Sequence, residues 1–73
     1  MKTSVYAICA DDEYFWSEQL QDWVTSDEEF TISTNKGYLR DLTQPDRVIY
    51  MSELPTGELW DDLSVVEIGI LYV

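Results

Sequence analysis

Three apolar runs constrain this fold more than any other feature of the sequence. Ser4–Cys9 (SVYAIC), Arg47–Ser52 (RVIYMS) and Val65–Val73 (VVEIGILYV) are short and apolar at neighbouring positions. In the first two, apolar side chains on both faces suit strands that are covered on both sides, and Val65–Val73 reads as the last strand. Phe30–Thr34 (FTIST) instead alternates apolar and polar, as a half-exposed edge strand does. After the first strand, Asp11, Asp12 and Glu13 load a helix start with negative charge, where the macrodipole favours it. The helix is predicted to run to about Thr25. At 100° per residue it carries Trp16, Leu20, Trp23 and Val24 on one face as its core stripe.

Asn35-Lys36-Gly37 is a turn signal, and Tyr38–Leu42 reads either as a short helix or as the return strand of a hairpin. Pro45 and Asp46 close that segment. Leu54-Pro55-Thr56-Gly57 is a loop, and Glu58–Leu63 a short helical turn with Leu59, Trp60 and Leu63 inward. The order is β-α-β-(turn or short helix)-β-α-β in one domain, residues 1–73. This pattern predicts an α/β fold with a small, open, mostly parallel four-stranded sheet. The alternative is an α+β ferredoxin-like sheet with both helices on one face.

A chain of 73 residues is near the lower limit for folding without staples. Its 45% apolar content and its aromatic residues argue against disorder. One cysteine, Cys9, permits no internal disulfide and points to a reducing, cytoplasmic compartment. No run of eighteen apolar residues suggests a membrane span, and the start of the chain does not resemble a secretory leader.

Charge decides the class of partner. Fifteen Asp and Glu against four Lys and Arg, with no His, give a net of −11. A small domain typically carries a net charge of magnitude about 2–8 for solubility. Coulomb repulsion disfavours nucleic acid and anionic membranes as direct partners and favours a basic protein. Small acidic proteins also use charge simply to stay monodisperse. A homodimer packed sheet to sheet is a further possibility.

The residues offer little to catalysis. Without His, the Ser/His/Asp and Cys/His arrangements are excluded. Cys9 lies inside a predicted strand, where a packed, inert thiol is expected. The glycines are scattered and form no phosphate-binding loop. Asp11-Asp12 and Asp61-Asp62 are adjacent carboxylate pairs, but adjacent residues of a helix point about 100° apart and do not converge on a magnesium ion. The expectation is a protein that is not an enzyme and holds no cofactor or metal.

The strongest candidate surface is the face of the predicted long helix opposite its core stripe. Asp11, Glu18 and Asp22 fall together there, with Phe15 among them and Tyr14 on the shoulder. An aromatic ringed by carboxylates resembles an interface hot spot. Glu18 and Asp22, four apart, repel by a few tenths of a kcal/mol, roughly, unless a partner relieves them. Asp27, Glu28 and Glu29 continue the negative patch into the next loop. The plainer reading packs Phe15 under a loop or into an oligomer. Four helical residues rise about 6 Å, so this spacing is sparser than the roughly 1.7 Å per charge of duplex DNA. DNA mimicry would need the loop acids as well.

The opening strand, Asp11-Asp12 and the amphipathic pattern that follows resemble the start of a response-regulator receiver domain, where paired acids hold magnesium. QPDRVIYMSELPTGELWDDL resembles that family's third strand and the loop after it. The resemblance covers about seventy residues but breaks at the chemistry. Met51, followed by Ser52 and Glu53, stands where the phospho-accepting Asp belongs, Tyr72 falls near the expected hydroxyl, and the fifth strand with its Lys is missing. It implies a truncated, degenerate pseudo-receiver acting as an adaptor on a signalling protein. The charge points instead to an acidic inhibitor or decoy of a basic nucleic-acid-handling protein, such as a nuclease, a restriction or CRISPR effector, or a polymerase. Such proteins are typical of phage and mobile elements. An antitoxin or immunity protein shares these electrostatics.

Overall fold

The computed structural model describes residues 1–72, so the Val73 end of the last predicted strand lies outside the described residues. β1 (Lys2–Ala10) is the strand from which the sheet is built. β2 (Tyr14–Ser17) and β3 (Asp22–Val24) follow it on one side, and β4 (Leu63–Tyr72) returns on the other. The order is β3-β2-β1-β4 and every pair is antiparallel. The expected mostly parallel α/β sheet is therefore incorrect, and so is the ferredoxin-like alternative with two helices. Among the described residues the one α-helix is α1 (Lys36–Leu42).

The correction is sharpest between Asp11 and Thr25, where a hairpin replaces the predicted helix. Asp11 and Asp12 take positive φ angles of 54° and 57°, and the Glu13 N–H donates to the Ala10 carbonyl at 3.1 Å. Two central residues with φ above zero match the twist of a tight hairpin, and Asp tolerates that region better than most residues. β2 then turns into β3 through four residues closed by Gln21, also at positive φ. Trp16 faces Trp23 across this second hairpin, with ring centroids 5.1 Å apart in an edge arrangement. Both indoles are buried, whereas Leu20, read as core, stands 63% exposed at the hairpin tip.

Trp16 and Trp23 share a sheet face with Ile8, Ala10, Leu63 and Val65. Leu39 from α1, Ile49 and Leu54 cover that face, with Trp60 packed beside them. Helix α1 resolves the ambiguity of the middle segment. Asn35 is its N-cap, and its side chain accepts from the Tyr38 N–H, so the residue that read as a turn signal starts a helix. Arg47–Ser52 is not a strand. It contains a single 3-10 turn, Val48–Met51, of which only Ile49 is buried. No helical turn forms over Glu58–Leu63, and Leu59 points to solvent.

On the opposite sheet face, Phe15 lies across from Cys9 and Val24. Pairing of β1 with β2 covers only Cys9 and Ala10, after which the strands part. The 31–33 segment fills the opening. Ser33 exchanges two backbone bonds with Tyr6, and the Thr31 N–H donates to the Trp16 carbonyl. FTIST is thus a filler between two strands and not an edge strand.

The two indoles differ in one respect that a stability measurement can read. Trp16 donates its Nε1–H to Glu18, while the buried Trp23 Nε1 has no partner among the described residues. An unsatisfied buried donor costs about 1–3 kcal/mol. Trp23→Phe is therefore expected to destabilise less than Trp16→Phe by about 1 kcal/mol, read from urea midpoints at constant slope. An equal or larger loss at Trp23 would mean that its N–H has a partner.

Candidate functional site

The hairpins distribute the predicted patch residues over both ends of the sheet. Asp11 sits in the β1–β2 turn, and Glu18 and Asp22 flank the β2–β3 turn. The four residues of β2 separate the two turns by about 13 Å. The predicted face uniting Asp11, Glu18 and Asp22 does not exist, because it required a helix.

At the first end, Asp11 is a structural clamp. Its Oδ1 accepts from the backbone N–H groups of Asp61 and Asp62 at 2.9 and 2.7 Å, and its own N–H donates to the Asp62 carbonyl at 2.8 Å. These bonds lock the β1–β2 turn to the segment leading into β4. Tyr14 is half-buried against the core. Phe15 is half-buried and stacked on Phe30, with centroids 4.4 Å apart, so it is not an exposed anchor.

At the second end the acids gather. Glu18 accepts from Trp16 Nε1 and from Gln21 Nε2. Asp22 is exposed and accepts from the Trp23 N–H at 2.8 Å. The Glu18 N–H donates to the Thr31 hydroxyl at 2.8 Å, which ties the 27–31 loop to the turn. Glu28 and Glu29 line a shallow hollow there with Ser17, Gln19, Phe30 and Ile32. Asp27 accepts from the Thr25 hydroxyl. That bond holds its carboxyl below the usual range, so its contribution is present at neutral pH and is lost as pH falls through the lowered value.

Sequence reasoning missed two residues here. Leu20, in the turn between Glu18 and Asp22, is 63% exposed, and Ile32, in the hollow with Glu28 and Glu29, is 57% exposed. A hairpin reading of YFWS and DWV would have put Leu20 at the tip. Cations are sparse around this end. Arg47 shares a hollow with Glu18 and Asp46, while Lys36 and Lys2 lie over the Tyr6 and Tyr72 rings. Among the described residues none of the Lys or Arg side chains forms an ion pair with a carboxylate. The negative charge is left largely uncompensated.

Among the described residues no group of His, Cys, Asp or Glu is placed to hold a metal ion, and no helix is long and apolar enough to cross a membrane. No family model, curated protein or solved structure matches the chain.

Two expectations follow from this geometry. Asp11→Ala removes a charged acceptor from two N–H groups and places a Cβ without a polar partner at positive φ. It is expected to lower stability by about 2 kcal/mol, whereas Asp11→Asn, which keeps an oxygen and tolerates that φ, loses less than half as much. Equal losses in urea titrations would assign the effect to charge. Cys9 is buried, and burial followed by the Asp12 charge pushes its thiol pKa up. The folded protein should resist a thiol reagent at pH 8 and react only at the rate of its opening. Prompt labelling of native protein would show that Cys9 is accessible.

Proposed function

We propose that this protein is an acidic inhibitor or decoy that binds the basic surface of a nucleic-acid-handling protein. One observation carries the reading. Between Thr3 and Asn35 the chain has eight of its fifteen acids and no Lys or Arg. Glu18, Asp22, Asp27, Glu28 and Glu29 stand around one turn and the loop tied to it. Fixed charges of one sign accelerate encounter with a basic surface more than they add affinity. The affinity then comes from apolar contact, supplied by Leu20 at the hairpin tip and Ile32 in the hollow that Gln19 also lines. Charged rims around a few buried anchors are the usual anatomy of a tight interface.

The docking surface proposed here keeps Glu18, Asp22, Asp27, Glu28 and Glu29. It replaces Phe15 with Leu20 as anchor, and assigns Asp11 and Tyr14 to the fold. The same electrostatics would serve an immunity protein that guards against a basic toxic nuclease. The adaptor reading gains nothing from an antiparallel sheet.

The test begins with retention of basic proteins from a nuclease-treated lysate at low and high salt. With a retained target in hand, Glu28→Lys with Glu29→Lys is expected to slow association and flatten its salt dependence. Leu20→Ala should leave association unchanged and speed dissociation roughly tenfold, about 1.4 kcal/mol. Retention that ignores salt, or binding unmoved by all three substitutions, would remove this surface and the reading with it.

A further inference from the structure

The far half of β4 is in a physically unfavourable position for an isolated chain. Beyond Val5 the sheet narrows to a two-stranded ribbon, Lys2–Val5 against Gly69–Tyr72. Two-stranded ribbons are marginal in water. Its β4 half is apolar on both faces, since neighbouring Ile70 and Leu71 are 47% and 50% exposed and Tyr72 is 70% exposed, while its β1 half is Lys2, Thr3, Ser4 and Val5. β4 is also the edge of the sheet, ten residues long, and carries a single charge, Glu67, with no Pro or Lys to guard it. An edge of that kind is a template for another strand.

We infer that β4 pairs with β4 of a second copy, antiparallel about a two-fold axis near Ile68. Charge selects this occupant. A basic partner finds nothing to attract it here, because Met1–Ala10 and Ile68–Tyr72 contain no Asp or Glu. A copy with net charge −11 is repelled by the acidic turns and meets least repulsion along this ribbon. Ends also match. β4 starts beside Asp61, Asp62 and Asp11, and finishes beside Lys2, whose ammonium lies 5.8 Å from the centre of the Tyr72 ring. Antiparallel pairing brings each Lys2 end toward the other copy's aspartates, twice, while parallel pairing would set aspartates against aspartates.

The register follows from the one charge and the one irregularity. Pairing with β1 steps from Gly69 opposite Val5 to Glu67 opposite Tyr6, so Ile68 is bulged. Tyr6 spends its backbone groups on Ser33, which leaves those of Glu67, and beyond the bulge those of Ile70, to the free edge. A two-fold between Ile68 and Gly69 therefore exchanges the two regular stretches in phase. Glu67 then faces Ile70 of the second copy, Val66 faces Leu71 and Val65 faces Tyr72, each pair on one sheet face. A two-fold at Glu67 itself would oppose Glu67 to its own copy, which is destabilising. This interface is separate from the acidic turn, and the two readings stand or fall independently.

Sedimentation equilibrium over a dilution series is expected to show a species of twice the 8.5 kDa chain mass. Ile70→Glu, at an exposed position that faces Glu67 of the second copy, sets like charges opposite each other and should raise the dissociation constant roughly tenfold or more with unchanged circular dichroism. Lys2→Glu should weaken the dimer more than Lys36→Glu, which makes the same charge change elsewhere. Amide exchange supplies a readout without substitution, since protection of Glu67–Tyr72 should fall on dilution. A monomer at all concentrations, a dimer indifferent to Ile70→Glu, equal effects of the two lysine changes, or protection independent of concentration would each overturn the arrangement.

Discussion

Trp16 and Trp23 are the two largest fully buried side chains in a chain with little core to spend. Burying an aromatic side chain contributes roughly 1.5–3 kcal/mol, and an edge-to-face pair adds about 0.5–1.5. For a domain whose net stability is on the order of 5–15 kcal/mol, one such contact is a large share. The pair also fixes geometry. Holding the two rings 5.1 Å apart sets the β2–β3 register, which puts Leu20 outward and Phe15 on the back face against Phe30. The indoles then form the floor on which Leu39, Ile49 and Leu54 settle. Without the pair, β3 has three residues and no other reason to stay.

That same pair explains why the first third of the sequence is ambiguous. Trp16 and Trp23 are seven apart, two turns of a helix, but a hairpin with a four-residue turn also sets residues seven apart face to face. The i, i+7 signal is degenerate between the two structures, and Val24 at i+8 reinforces the wrong one. Local chemistry separates them. Tyr14, Phe15 and Trp16 in succession, and Trp23, Val24 and Thr25 again, are side chains that fit a pleated surface better than a helix. Asp11-Asp12 served equally well as a helix start or as a turn at positive φ, and only the long-range bonds to Asp61 and Asp62 decide it. Interactions about fifty residues away leave no local trace.

Elsewhere the legibility follows the same rule. SVYAIC reads as an inner strand because covered faces on both sides demand apolar residues at neighbouring positions, and β1 does lie between β2 and β4. RVIYM presents the same run and forms a 3-10 turn, with Val48, Tyr50 and Met51 exposed. An apolar run records the opportunity to be buried; whether a sheet has a free edge to receive it is decided by the rest of the chain. In the candidate site, the acids were legible as composition and their grouping was not. Asp27, Glu28 and Glu29 come together with Glu18 because Thr31 returns to β2, a contact across thirteen positions of sequence.

The distribution of charge ties these points together. Only Asp22, Asp41 and Glu67 lie within a strand or α1; the other acids stand in turns and loops. Placed there, carboxylates keep their hydration, and self-repulsion is spread across both ends of a rigid sheet and screened over about 8–10 Å. Such loops would ordinarily be mobile, yet backbone or side-chain donors orient Asp11, Glu18 and Asp27. Oriented charges produce a directed field, which a disordered acidic tail of equal charge does not. The segregation has a second consequence at the other extreme of the molecule. Strands relieved of acids leave the β4 edge with one carboxylate, and the repulsion that holds the turns of two copies apart has little hold on that edge.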